Sequence, residues 1–184
     1  MAGPGRTKLI LAEATKKLMC EKPFAKISVG DIVEECELNR NSFYYHFKDK
    51  YDLVNWIFYT EVVAEVSQHD IENASSWSLM ENLFHYFYQN KEFYINALSV
   101  EGQNSFSEYY HDLLKSLIKA RSKNLFEDDD FQDFYVSFFV DALTFATFRW
   151  LKEGANIPPE KLSELMKKAT TGAAMKILSD ADIL

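Results

Sequence analysis

The 184-residue chain carries a formal net charge of −8 and is 47% hydrophobic, with 6 glycines, 4 prolines and 2 cysteines. Its apolar content is enough for a substantial core, and scarce glycine and proline favour long helices over a turn-rich β fold. No apolar run approaches the roughly 20 residues of a membrane span. The N-terminus has no apolar signal core, so we expect a cytoplasmic protein with reduced thiols and no membrane association.

The acidic charge is unevenly distributed along the chain. Residues 1–60 contain 9 Lys or Arg and 8 Asp or Glu, whereas residues 61–184 contain 11 and 20. The excess of acid therefore lies in the second part. The first part can still approach phosphate groups, although an overall acidic chain is not a generic nucleic-acid binder.

Four helices are predicted in the first third of the chain. Apolar residues at helical spacing predict a helix over residues 7–19, which Pro23 ends. A capping-box-like start at Ser28 predicts a short second helix. Asn39 can cap a third helix over residues 40–46, and Asp49 can cap a longer fourth helix.

The rest of the sequence also has helical periodicity, broken at residues 73–76 and at Pro158-Pro159, with Gly154 suited to a helix C-cap. Predicted helices lie near residues 76–89, 91–100, 106–125, 130–152 and 159–179. The expected fold is all-α. A three-helix, helix-turn-helix N-terminal domain (residues 1–50) is joined to a larger helical bundle for dimerisation and effector binding (residues 51–184).

The segment 27–53 carries most of the functional information. Two short helices joined by about four residues are typical of a helix-turn-helix. Ile32, Cys36, Leu38 and Phe43 are spaced to form a small core between them. No acidic residue lies between Leu38 and Lys48, so this stretch meets little repulsion beside phosphate.

This segment resembles the signature of the TetR family of transcriptional regulators. The matching residues, at the family's spacing, are Ile32, Leu38, Phe43, Tyr44-Tyr45-His46-Phe47, Lys50 and Leu53. Within the family, residues 39–49 and the later Gly102-Gln103-Asn104-Ser105 resemble regulators of dihydroxyacetone-kinase operons. Two positions depart from the family pattern: Glu37 occupies the place of the turn glycine, and Asn41 occupies the place of a small residue. A left-handed backbone at Glu37 would cost on the order of 1 kcal/mol.

The resemblance implies a set of contacts with double-stranded operator DNA. Arg40 and Asn41 would reach base edges, since arginine pairs bidentately with guanine and asparagine with adenine. Phosphate contacts would come from Ser28, Tyr44, His46 and Lys50, and Tyr45 would touch a sugar or a thymine methyl.

The aromatic residues of the second part allow two interpretations, an effector cavity or simple core packing. The candidates for binding a small molecule are Phe84, Tyr88, Tyr109, Phe138 and Asp141. A repressor released by a small-molecule effector is the first hypothesis, and an activator controlled by a protein co-regulator is the alternative. We expect no enzyme, because no nucleophile elbow or phosphate loop is present, and no cofactor or metal, because the histidines lack paired spacing.

Residues 130–152 predict a homodimer. Phe134 with Phe138 and Phe139 with Leu143 mark two apolar stripes on one helix, and a monomer would bury only one. The helix at 159–179 offers a partner stripe, and the two helices are expected to pair with their twofold copies. The partner stripe consists of Leu162, Leu165, Met166, Ala169 and Ala173.

Overall fold

The computed structural model describes residues 4–63, 76–100, 102, 104–122 and 127–173. Within these ranges all regular structure is helical, which confirms the predicted all-α class. Among the described helices, none combines the length and the hydrophobicity of a membrane-spanning segment.

Four helices and one turn form the first part of the chain, as predicted. They are α1 (Pro4–Glu21), a 3-10 turn (Phe24–Lys26), α2 (Val29–Glu35), α3 (Arg40–Tyr44) and α4 (Lys50–Phe58), which continues as a π-helical turn over Tyr59–Val63. The predicted caps are all present. Ser28 and Asp31 form a reciprocal capping box on α2, Asn39 caps α3, and Asp49 accepts hydrogen bonds from two amides of α4.

Five more helices follow in the second part. They are α5 (Ser76–Gln89), α6 (Lys91–Ala97), α7 (Phe106–Ser122), α8 (Asp129–Lys152) and α9 (Pro159–Lys168), which ends in a π-helical turn over Ala169–Ala173. Asp128 caps α8, and its carboxylate accepts hydrogen bonds from the amides of Asp130 and Phe131. Gly154 has φ +88° at the C-terminus of that helix, as its position predicted. The end of the last predicted helix, residues 174–179, lies outside the described residues.

A continuous core joins the two parts through α4. Leu53, Val54, Ile57 and Phe58 of that helix are all buried. The Phe58 ring is surrounded by rings of the second part, with centroids of Phe87, Tyr94 and Phe106 at 5.8, 6.0 and 5.3 Å. The three-helix unit is therefore packed directly on the larger bundle through α4.

One face of α8 leaves large apolar side chains in solvent. The exposed fractions are 50% for Phe131, 67% for Phe134, 59% for Phe138 and 68% for Phe145. We refer to these four residues as the phenylalanine face. The expectation for α9 was partly wrong, because Leu162 and Met166 are buried where α9 packs on α5, and only Leu165 and Ala169 of its described apolar stripe are exposed.

Candidate nucleic-acid interface

The turn between α2 and α3 is built on a left-handed residue. Glu37 has φ +54°, which confirms that the position predicted to need glycine has this conformation. The amide of Leu38 donates to the Val33 carbonyl at 2.8 Å, and the amide of Glu37 donates to the Glu34 carbonyl at 3.1 Å. These two bonds form a Schellman motif, which satisfies the last carbonyls of α2 and redirects the chain.

Helix α3 is held in place by a buried side chain and by a cap at its start. The Asn39 side chain accepts the Ser42 amide proton at 2.8 Å, which fixes where the helix begins. Phe43 and Ile32 are completely buried, and Phe47 is nearly so. Because Phe43 faces inward, the remaining side chains of this short helix are turned away from the core.

Five of the seven predicted DNA-binding residues lie on α3 and directly after it. Tyr44 and Tyr45 are 57% and 79% exposed. Within the part of the chain that the structure describes, the side chains of Arg40, Asn41, Tyr44, Tyr45 and His46 form no hydrogen bond or ion pair. Their polar groups are therefore available to a ligand. The His46 ring packs against the rings of Tyr45 and Phe47, with centroids 4.8 and 6.4 Å away.

Ser28 is placed beside this surface but its hydroxyl is already used. Its Oγ donates to Asp31 Oδ2 at 2.6 Å and accepts the Asp31 amide at 3.1 Å. The bonds from Ser28, together with Lys22 at 3.0 Å, hold the pKa of the Asp31 carboxyl far below its usual range. The carboxylate is thus ionised at neutral pH, and Ser28 orders the first turn of α2.

Lys50 does not point to solvent as the sequence prediction required. Its Nζ donates to the carbonyls of Phe24 at 2.8 Å and Ile27 at 2.7 Å, and lies 3.4 Å from that of Ala25. The ammonium group also lies 4.6 Å from the centre of the Phe24 ring. Burial lowers its pKa. An ammonium group has three protons to donate, and this geometry directs them at carbonyl oxygens of the same chain. It therefore does not support the predicted phosphate contact.

Gly30 was not singled out from the sequence, although it lies beside Arg40. It lies in the first turn of α2, and a Cβ at this position would be 2.9 Å from Arg40 Nη2. The sequence showed a glycine inside a capping box, but only the packing of α2 against α3 reveals what lies above it.

The five candidate effector residues have different surroundings among the residues that the structure describes. Phe84 is completely buried and its ring meets Trp150 at 6.1 Å. Tyr88 stacks on the same tryptophan at 6.3 Å between ring centroids and is 42% exposed. Tyr109 is half-buried beside Phe58. By contrast, Phe138 is part of the exposed phenylalanine face.

Asp141 is exposed on α8 and faces a histidine of the neighbouring helix. Its Oδ1 lies 2.9 Å from Nε2 of His111. The identity of that partner, thirty residues earlier on α7, could not be inferred from spacing alone.

A small helical unit with a capped second helix, a tight turn and a short third helix with exposed polar groups is a helix-turn-helix DNA-binding domain. Comparison with known families agrees with this class. Residues 11–57 match bacterial regulatory proteins of the tetR family, and residues 75–172 match a transcriptional regulator C-terminal region. The chain belongs to the TetR family of transcriptional regulators.

Relatives in this family are regulators rather than enzymes, as the sequence predicted. The chain is 28% identical over 119 residues to the HTH-type dhaKLM operon transcriptional activator DhaS of Lactococcus lactis subsp. lactis (strain IL1403). That match covers 64% of this chain and 63% of DhaS, less than two thirds of the relative. It supports the resemblance to dihydroxyacetone-kinase operon regulators that residues 39–49 indicated.

Solved structures of family members share the fold. A dihydroxyacetone kinase operon activator DhaS has a TM-score of 0.62 at 21% identity, covering 89% of this chain and 93% of that one. A TetR transcriptional regulator from Streptococcus agalactiae 2603V has a TM-score of 0.66 at 20% identity, covering 88% and 92%.

Proposed function

We propose that this regulator binds operator DNA sequence-specifically as a homodimer, with α3 of each protomer in the major groove. The observation that carries the proposal is the set of unengaged polar side chains on and directly after α3. Arg40 and Asn41 at its start supply the two chemistries that read guanine and adenine edges. The stretch that carries them contains no carboxylate, which suits a surface that lies beside phosphates.

The other residues of this surface would position the protein on the duplex. Tyr44 and His46 offer polar groups to phosphates, and Tyr45 offers an exposed ring to a sugar or a thymine methyl. We leave Lys50 out of this set because its protons are directed at carbonyl oxygens of the 3-10 turn and the residue after it. Ser28 would act by ordering the first turn of α2.

The phenylalanine face supports the homodimer. Four phenylalanines, each at least half exposed on one helix, form an apolar surface that a monomer would leave in water. A twofold pairing of α8 would bury this surface in both protomers. The same symmetry would present two copies of α3 to a near-palindromic operator.

Selection of bound DNA from a random pool, repeated at several salt concentrations, tests this function. We expect two similar half-sites about one helical turn apart, or a multiple of that spacing, and an affinity that falls with rising salt. Enrichment of no sequence over the random pool would contradict sequence-specific binding. A single, unrepeated half-site would contradict the homodimer.

A second candidate concerns the sign and the trigger of regulation. Since the described contacts of the five predicted effector residues do not mark out a shared cavity, we favour an activator controlled by a protein partner over a repressor released by a small molecule. The curated Lactococcus relative is named as an operon activator, which supports the same sign here.

The two triggers can be separated with fractionated cell extract added to the protein–operator complex. A partner predicts that only the high-molecular-weight fraction changes the complex, and that protease treatment of this fraction removes the effect. A low-molecular-weight filtrate that releases the DNA would instead favour a small-molecule effector.

A further inference from the structure

The guanidinium of Arg40 occupies space that only a glycine leaves open. A Cβ added to Gly30 would lie 2.9 Å from Arg40 Nη2 and 3.7 Å from its Cζ, and 3.3 Å from Oγ of Ser28. The first distance is shorter than real Cβ contacts allow. The first turn of α2 therefore has a notch, formed at Gly30, against which the end of the Arg40 side chain rests.

The backbone gives no reason for a glycine at this position. Positive φ angles among the described glycines occur at Gly102 and Gly154, and Gly30 lies in regular helix. A glycine within a helix is less stable than alanine, because it has more conformational freedom to lose. What Gly30 provides in return is room for a neighbouring side chain.

Arg40 needs such a support. It is exposed, and it makes no hydrogen bond or ion pair with any described residue that would fix its direction. Bidentate recognition of guanine requires the planar guanidinium to be held in one orientation, whereas a long unsupported side chain samples many. Packing against the notch restricts these orientations before DNA is bound.

We propose that Gly30 is a positioning residue for DNA recognition, which sets the guanidinium of Arg40 for contact with a guanine. Operator selectivity then depends on a residue of α2 that lies outside the recognition helix. The inference rests on the proposed function, because it assumes that Arg40 reads a base.

The test is a double-mutant cycle on Gly30→Ala and Arg40→Ala. For each protein, binding is compared between the selected operator and a variant changed at the base pair whose preference is lost in Arg40→Ala. Gly30→Ala is expected to reduce discrimination at that base pair about fivefold or more, and to leave the other positions unchanged. In the Arg40→Ala background the same change is expected to have no effect.

Stability separates positioning from a structural role. The unfolding midpoint of Gly30→Ala should equal or exceed that of the unmodified protein, since alanine favours the helix and the closest displaced atom is the end of a flexible side chain. The second neighbour, Ser28 Oγ at 3.3 Å, needs to shift by only a few tenths of an ångström. Gly30→Ser introduces the same Cβ and should reproduce the loss of discrimination if Gly30→Ala does not fold. Gly5→Ala is the matched control, because Gly5 is also helical and has no atom within 4 Å of the added Cβ.

Three outcomes would overturn the proposal. These are full discrimination in Gly30→Ala, an equal loss in the Arg40→Ala background, and tighter operator binding by Gly30→Ala, which would mean that Arg40 leaves the notch to bind. Failure of the proposed function has a different signature, in which the unmodified protein binds operator and random DNA equally.

Discussion

Asn96 of α6 and Phe24 of the 3-10 turn are directly hydrogen-bonded, although 72 residues separate them in sequence. The amide of Phe24 donates to Asn96 Oδ1 at 2.6 Å. The Asn96 Nδ2 donates to the carbonyls of Met19 at 2.7 Å and Lys22 at 2.9 Å. One side chain of the second part thus satisfies three backbone groups where α1 ends and the chain turns toward α2.

Replacing Asn96 with alanine should therefore lower the free energy of unfolding by about 2 kcal/mol, because three partly buried backbone groups lose their partner together. Denaturant unfolding of the purified protein measures this loss. Asn90→Ala is the matched control, since that side chain makes one bond, to the Tyr86 carbonyl one turn earlier. Equal losses of unfolding free energy in the two variants would show that the three bonds of Asn96 stabilise the fold no more than the single bond of Asn90.

Lys50→Met should destabilise the fold by about 1–3 kcal/mol and leave the salt dependence of DNA binding unchanged. Methionine keeps much of the apolar stem but removes the charged donor to the carbonyls of Phe24 and Ile27. Lys48→Met, at an exposed position two residues earlier, should change stability by less than about 0.5 kcal/mol. If Lys50→Met instead has unchanged stability and a DNA affinity that depends less on salt concentration, the phosphate contact predicted from the sequence would be supported.

The left-handed turn residues give a pair of opposite predictions. Glu37 and Gly154 occupy the same position of two Schellman motifs, with φ +54° and +88°. Glu37→Gly should stabilise the protein by up to about 1 kcal/mol, and Gly154→Ala should destabilise it by a similar amount. Thermal unfolding of both variants checks the signs. A lower midpoint for Glu37→Gly would mean that the glutamate side chain makes a stabilising interaction.

Phe138→Glu should convert the proposed dimer to a folded monomer and weaken operator binding. Its side chain is 59% exposed in the single chain, so the substitution leaves the core intact but introduces a charge into the α8 pairing surface. Sedimentation measures the mass, and far-ultraviolet circular dichroism the helix content. Leu117→Glu replaces a side chain of similar exposure on α7 and should remain dimeric. A folded monomer for the unmodified protein at micromolar concentration would refute the pairing.

Sequence was most informative where structure depends on local interactions. The caps at Ser28, Asn39 and Asp49 were predictable because each side chain bonds to an amide two or three residues ahead. The left-handed conformation of Glu37 was predictable from the resemblance to the TetR family, which has a glycine at this position of the turn.

The sequence could not predict which distant part of the fold a given side chain contacts. Periodicity places Lys50 at the start of α4 but does not reveal carbonyls of a turn more than twenty residues earlier. Likewise, helical spacing identifies Phe84 and Phe138 as apolar positions. It does not show that the first faces Trp150 in the core while the second faces solvent.

The left-handed Glu37 also bears on how new operator preferences could arise. Proteins tolerate substitutions until their stability falls below the level that function requires. A chain carrying Glu37→Gly would have about 1 kcal/mol more stability to lose, gained at a turn whose backbone shape is unchanged. Directed evolution of α3 from that background should yield more folded variants, and hence a wider range of DNA specificities, than evolution from the present sequence.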